Sequence, residues 1–326
     1  MPIGRLLILA VLVLSAPLAA RAQAPTPAPA RVGILVLEMG RAQSQAIKGF
    51  SEVLKRIGYR ERKNLVFEIR NVKGNRGALQ AAAGELVAQK VKLIFTTGTS
   101  ATRAAAAATT GIPVLFVHPG DPAASGLIKS AERAKNLTGV AAYAAQTTER
   151  RLALFKEIMP ALQNISVFYD ANNALSRDNF KLAESAAKKL GLEAIGYGIK
   201  SADELKTTLA SVRAENGAAI FQVADELVES DAEFLFETAR TKKIATMFNE
   251  ESWAINGALA AYGPNYLEMG RQAGRLADKI IRGESPASLP LERASKFDLT
   301  LNYRTANFIG LNLSAAMLKK ADKVIR

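Results

Sequence analysis

The residues able to do chemistry in this 326-residue chain stand just after short aliphatic runs, and they are hydroxyls, amides and carboxylates more than nucleophiles. The sharpest group is Thr97-Gly98-Thr99-Ser100. A glycine there lets the backbone turn closely. A helix opening behind it presents unpaired N–H groups that, with the hydroxyls, can hold a carboxylate or phosphate. Thr99 or Ser100 acting only as a helix N-cap fits the same residues. No Gly-Lys-Ser/Thr follows, so the turn is not a P-loop, and its spacing is not a dinucleotide fingerprint. Asp121 and Asp225 can each accept hydrogen bonds from a ligand ammonium or cap the helix behind them. Asn172 and Asn173 can cap a helix or aim amides at a ligand, with at least one expected to be structural. Ser44, Glu250 and Tyr262 complete the set at such run ends. His118, the single histidine, has no Ser-His-Asp or metal-ligand spacing around it, which favours a hydrogen-bonded cleft residue over a general base. Trp253 is either core filler or an aromatic wall.

Composition narrows the chemistry further. With no Cys, thiol catalysis, disulfide scaffolds and Cys-based metal sites are excluded, and no metal or cofactor is expected. At 49% hydrophobic and 22% charged residues the chain has the make-up of a globular protein. Its 43 Lys and Arg against 30 Asp and Glu give a formal charge of +13. These charges are spread out, with local runs at 55–63, 240–243 and 319–326, and so read as solvated faces rather than a nucleic-acid stripe.

Residues 1–22 carry Arg5, an apolar stretch over 6–14, Pro17 and Ala20-Arg21-Ala22, the pattern of a signal peptide cleaved before Gln23. A membrane anchor is the alternative, disfavoured because the stretch is too short to span a bilayer. Loss of Arg5 and Arg21 would take the charge from +13 to +11. No Cys is available for lipid attachment, so a freely diffusing periplasmic monomer is expected. Residues 23–30 read as a Pro-rich tether.

The elements that must position these groups begin at Arg31. An apolar run at 32–37 precedes a helix carrying Ile47, Phe50, Leu54 and Ile57, which stops at Gly58. A second series starts at 165–169, with Phe180, Ala183, Ala187 and Leu190 ahead of Gly191. Both the first runs and the closing glycines are 133 residues apart, a weak internal repeat. Further runs predict strands at 65–69, 92–96, 113–117, 193–199, 218–223, 245–248, 257–262 and 297–301. One helix is expected through Val228, Leu235 and Ala239, another through Met269, Ala273, Leu276 and Ile280, and a basic helix over 314–325. The pattern is that of an α/β fold with two doubly wound parallel-sheet lobes, whose ligand sits outside the carboxyl ends of the strands.

An ordered set of motifs then resembles a known family. These are Gly98-Thr99-Ser100-Ala101-Thr102, Ile112-Pro113-Val114, Gly120-Asp121-Pro122, Asn136-Leu137-Thr138-Gly139, Gly257 through Gly263, and Gly270-Arg271-Gln272-Ala273. The chain is similar to solute-binding proteins of ABC importers related to tryptophan- and tyrosine-binding proteins. The resemblance implies a type I periplasmic binding fold with three crossings, near 138–142, 263–264 and 294–296. Lobe I would comprise 31–141 plus 264–294, and lobe II 142–263 plus 295–326. It implies a small anionic or zwitterionic solute, a permease and its ATPase in the inner membrane as partners, and no catalysis. The Gly98 turn would face the ligand carboxylate, and Asp225 or Glu250 its amine. His118 departs from the small or aliphatic residue that is usual there, which speaks against an aromatic amino acid as ligand. A periplasmic sensor or an exported α/β enzyme are the other readings.

Overall fold

The computed structural model describes residues 28–118, 120–128, 136–143, 147–213, 218–223 and 225–326. The expected signal segment, most of the tether and Pro119 lie outside them. The chain runs β1 (Ala30–Val36), α1 (Arg41–Arg56), β2 (Leu65–Asn71), α2 (Leu79–Ala88), β3 (Leu93–Thr97), α3 (Thr99–Ala108), β4 (Val114–His118) and β5 (Leu137–Ala141). It continues α4 (Thr148–Ile158), β6 (Asn164–Asp170), α5 (Ala174–Lys189), β7 (Glu193–Ile199), α6 (Ala202–Ser211), β8 (Ala218–Phe221), α7 (Glu226–Ser230), α8 (Ala232–Thr241), β9 (Ala245–Phe248), α9 (Glu251–Asn256) and β10 (Ala260–Pro264). The last elements are α10 (Tyr266–Ile281), β11 (Glu292–Arg293), β12 (Phe297–Asn302), α11 (Tyr303–Ile309), α12 (Ala315–Lys320) and β13 (Lys323–Ile325).

Two sheets result, as the alternating pattern predicts. One has the order β11-β5-β4-β3-β1-β2 and is parallel throughout. The other has the order β13-β12-β10-β9-β8-β6-β7, with β12 antiparallel to β10. Strand alternation gives each sheet two apolar faces. Val32, Ile34 and Val36 of β1 pack under Phe50 of α1 and Met269 of α10, while Leu35 turns to Leu86 of α2 and Ala105 of α3. No described helix is long and apolar enough to cross a membrane.

The chain passes between sheets after β5, after β10 and after β11. These passages are tied side by side: the Ala294 N–H donates to the Ala141 carbonyl at 2.8 Å, and the Asn265 N–H to the Lys296 carbonyl at 3.0 Å. After the second passage, α10 lands on α1, and the contact requires glycine on both helices. A Cβ on Gly49 would lie 2.0 Å from the Leu267 carbonyl oxygen, and one on Gly270 2.0 Å from that of Ala46.

Four local expectations need correction. The strand expected at 257–262 starts only at Ala260, because Gly257, at φ 134°, ends the short helix α9. The helix expected through Val228 and Ala239 is two helices broken at Asp231. The C-terminal helix stops at Lys320, and 323–325 pair with β12 as β13. The first crossing, expected near 138–142, comes after those residues, since 137–141 form a strand of the first sheet.

The glycine contact makes a prediction. Gly270→Ala should push α10 off α1 and lower stability by about 1–3 kcal/mol, read as a lower Tm, whereas alanine at exposed Lys279 on the same helix should leave Tm nearly unchanged.

Candidate functional site

Where β3 gives way to α3, Gly98 adopts φ 80° and ψ 168°, a region other residues enter only with strain. Its N–H donates to the Val117 carbonyl at 3.0 Å. Thr102 Oγ1 donates to the Gly98 carbonyl at 2.6 Å and lies 2.9 Å from Thr96 Oγ1. The turn is thus held from behind by main chain and buried hydroxyls. Gly98 itself occupies the N-cap position and brings no side chain, so the first amides of α3 have no side-chain acceptor. Thr99 is the first helical residue, and neither it nor Ser100 is the cap. Thr97 is buried, and its Oγ1 has no hydrogen-bond partner.

His118 supports this turn. The Gly120 N–H donates to its Nδ1 at 2.8 Å, which makes Nδ1 an acceptor and places the ring proton on Nε2. Nε2 is 2.8 Å from Thr99 Oγ1, so the ring donates there. The Thr99 hydroxyl keeps its own proton free to donate elsewhere. Burial lowers the His118 pKa, an effect the Gly120 contact and Asp121 only partly offset, so the neutral ring is the folded form. The imidazole is a fixed hydrogen-bond relay and not a base.

In front of the turn lies a cleft of about 560 Å³ between the two sheets' carboxyl ends. Thr97, Gly98, Thr99 and Ser100 form part of one wall, with Glu38 and Arg76 beside them. Gly40, the uncapped N-terminus of α1, lines the same wall. Opposite stand Glu229, Ser230 and Trp253. Trp253 satisfies both of its sequence readings: one side packs on Phe236 and Phe248, each with ring centroids 5.9 Å away, and the indole also lines the cleft.

The other expected residues divide. Both Asp225 oxygens are committed to main chain: Oδ1 accepts from the Leu227 and Val228 N–H groups at 2.9 and 3.0 Å, and Oδ2 from the Asp170 N–H at 2.7 Å. That capping geometry displaces the reading of Asp225 as a ligand acceptor. Asp121 Oδ1 accepts from the Ala123 N–H, and Asn173 caps α5 through the Leu175 N–H. Asn172 and Ser44 are exposed and line neither described cavity. Tyr262 stacks on Phe297 at 5.9 Å, against the second half's core. Glu250 lines a separate cavity of about 350 Å³ at the second and third passages, where Tyr266 Oη donates to its Oε1 at 2.5 Å. Burial raises the Glu250 pKa, and the Tyr266 bond draws it back in part.

Sequence reading missed Glu229 and the groups behind it. Gln222 Nε2 donates to Glu229 Oε1 at 3.0 Å, and the fully enclosed Arg151 donates to the Gln222 carbonyl at 2.6 Å while lying 4.3 Å over the Phe221 ring. Burial takes Arg151 down to about 9. Burial, then the Glu250 and Asp225 carboxylates, push Glu229 up to about 8. A usable signal existed: Glu229 lies four residues after Asp225, on the same side of the helix one turn on.

The site can therefore bind and orient a small polar solute, with the α3 donors, Arg76 and Glu38 on one wall and Glu229, Ser230 and an aromatic ring on the other. A family model described as ABC transporter substrate binding protein matches residues 31–325. A tyrosine-binding protein of Clostridioides difficile is 27% identical over 296 residues, covering 90% of this chain and 85% of that one. The ligand-free, open structure of a substrate-binding protein with adhesive properties from Clostridium difficile is 25% identical. It superposes with TM-score 0.76 over 90% of this chain and 99% of that one. An ABC domain in complex with L-Trp from Streptococcus pneumonia, 22% identical, has TM-score 0.76 over 91% and 100% of the two chains, a likeness of fold.

Two outcomes test this geometry. Asp225→Ala should destabilise the ligand-free protein by about 1–3 kcal/mol through lost capping and an orphaned Asp170 N–H, read as a lower Tm; an unchanged ligand-free Tm would mean the cap contributes nothing. For His118, a depressed folded pKa means stability that is present above the unfolded value of about 6.5 and lost as pH falls below it. The Tm advantage of wild type over His118→Gln should thus shrink between pH 7.5 and pH 5, followed by calorimetry.

Proposed function

The chain belongs to the ABC transporter substrate-binding family, and from that premise we propose that it is an exported, periplasmic receptor for a small zwitterion, an amino acid, which it delivers to a membrane permease. The observation that carries the ligand class is the α3 turn. The uncapped start of α3, Ser100, Thr99 with the hydroxyl proton left free by His118, and Thr97, whose buried Oγ1 is unpartnered, all line one cleft, a set suited to a carboxylate. Trp253 supplies an apolar surface opposite. The named relatives bind tyrosine or tryptophan, and an indole wall suits an aromatic side chain by stacking. His118 does not oppose that assignment, since its ring is turned into the Thr99 and Gly120 contacts.

In this reading residues 31–141 with 264–294, and 142–263 with 295–326, act as two lobes that close about the three passages. Solute favours the closed form through contacts available only there. No bond is made or broken, and the single imidazole is committed to structural hydrogen bonds.

A thermal-shift panel of amino acids and organic acids tests the proposal. At a hundredfold excess over Kd the bound solute should add about 2.7 kcal/mol, and Thr97→Val should weaken binding by about 1–2 kcal/mol. A panel without any shift would contradict it.

A further inference from the structure

The two walls of the cleft differ in chemistry. On the α3 side stand donors, among them Thr97, 6% exposed with its Oγ1 unpartnered. Across from them, flanked by Ser230 and Trp253, is the carboxyl of Glu229. Of the acids around it, Asp225 has spent both oxygens on backbone N–H groups, and Glu250 is engaged by Tyr266 at the other cavity. Glu229 Oε1 takes one bond, from Gln222 Nε2.

Resting on the receptor reading, we infer that Glu229 is the residue that reads the solute's amino group, exchanging its own proton for the solute's ammonium as the cleft fills. The groups around it agree. Burial first, then the carboxylates of Glu250 ahead of α9 and of Asp225 at the N-cap of α7, push Glu229 up to about 8 against the opposing hydrogen bonds of the Asp225 main chain and Gln222, so that it is protonated at neutral pH. Arg151 of α4 reaches it only through the Gln222 main chain. Across the cleft, Glu38 and Arg76 line the opposite wall. On binding, the Glu229 O–H bond breaks, the proton leaves to solvent, and the carboxylate pairs with the intact –NH₃⁺ of the solute. A carboxyl that is neutral when empty spares the free receptor a buried charge and resists cations that offer no carboxylate to α3.

The consequence is binding coupled to proton release. Titration calorimetry of the purified protein with L-tryptophan, L-tyrosine and the other amino acids should be run at pH 6.5 and 8 in two buffers of different ionisation enthalpy. Amine-free analogues such as 3-phenylpropionate and 3-(indol-3-yl)propionate should be run alongside. The amino acid that binds should do so roughly tenfold tighter at pH 8 than at pH 6.5, since each pKa unit is tenfold, with close to one proton released at the lower pH. Its amine-free analogue should bind more weakly and gain nothing with pH. Glu229→Gln, its folding checked by ligand-free Tm, should lose both the pH rise and the proton release. A pH-independent Kd without proton release, an unchanged pH profile in Glu229→Gln, or equal affinity for amine-free acids would overturn the assignment while leaving a receptor. Absence of binding by every compound would overturn the receptor reading and the assignment together.

Discussion

The cleft depends on a backbone turn that only glycine makes without strain. At φ 80° and ψ 168°, Gly98 ends β3 and aims the first amides of α3 outward. Any side chain at that position would strain the turn, and the common capping residues there would also spend the helix amides on their own oxygen. Thr96, Thr102 and the Val117 carbonyl hold the turn from the core side, and His118 holds Thr99. Away from the cleft, α5, α6 and α10 are capped by Asn173, Ser201 and Asn265, whereas α2, α4 and α8 have no side-chain cap. What sets α1 and α3 apart is that their uncapped starts line the cleft, where a ligand can supply the missing acceptor.

Around that turn, the fold separates charge. The α3 turn and Arg76 bring donors from the half built on β1 to β5, where Glu38 also stands, and Glu229 brings a carboxyl from the half built on β6 to β10, so the proposed zwitterion would have a favoured orientation across the gap. In the proposed closure, bringing the walls together would strengthen both contacts as water leaves. The passages between the two sheets are not loose linkers. They are tied laterally through Ala141, Ala294, Asn265 and Lys296, which favours a hinge with few degrees of freedom. The close α1–α10 contact at Gly49 and Gly270 makes the returning helix part of the first half.

Much of this was legible in the sequence, because periodicity reports burial. The spacing of Phe50 and Leu54, the glycines at 58 and 191 and the repeat of 133 residues give two α/β units, and two mostly parallel sheets are what forms. The resemblance to ABC importer receptors agrees with the matched family. Short elements were not legible: α9, α11 and β13 are too brief to display a period, and Gly257 sits inside an apolar stretch whose composition suits a strand. At the site, the Thr97–Ser100 turn announced itself through residue type, whereas Asp225 did not disclose its cap. An acid after a strand is written identically whether its oxygens meet a ligand or, as here, the amides of Leu227, Val228 and Asp170. Glu229 lies one turn into a helix, beyond the run ends that a strand-based search inspects.

The central claim is that one solute bridges the α3 turn and the wall of Trp253. A structure of the protein purified with its solute retained tests it most directly. The account predicts a carboxylate within about 3 Å of the α3 amides and the Thr99 and Ser100 hydroxyls, with the solute's body against Trp253. A solute seated instead in the cavity of Arg41, Tyr266 and Lys296 at the passages, or leaving the α3 amides untouched, would contradict it.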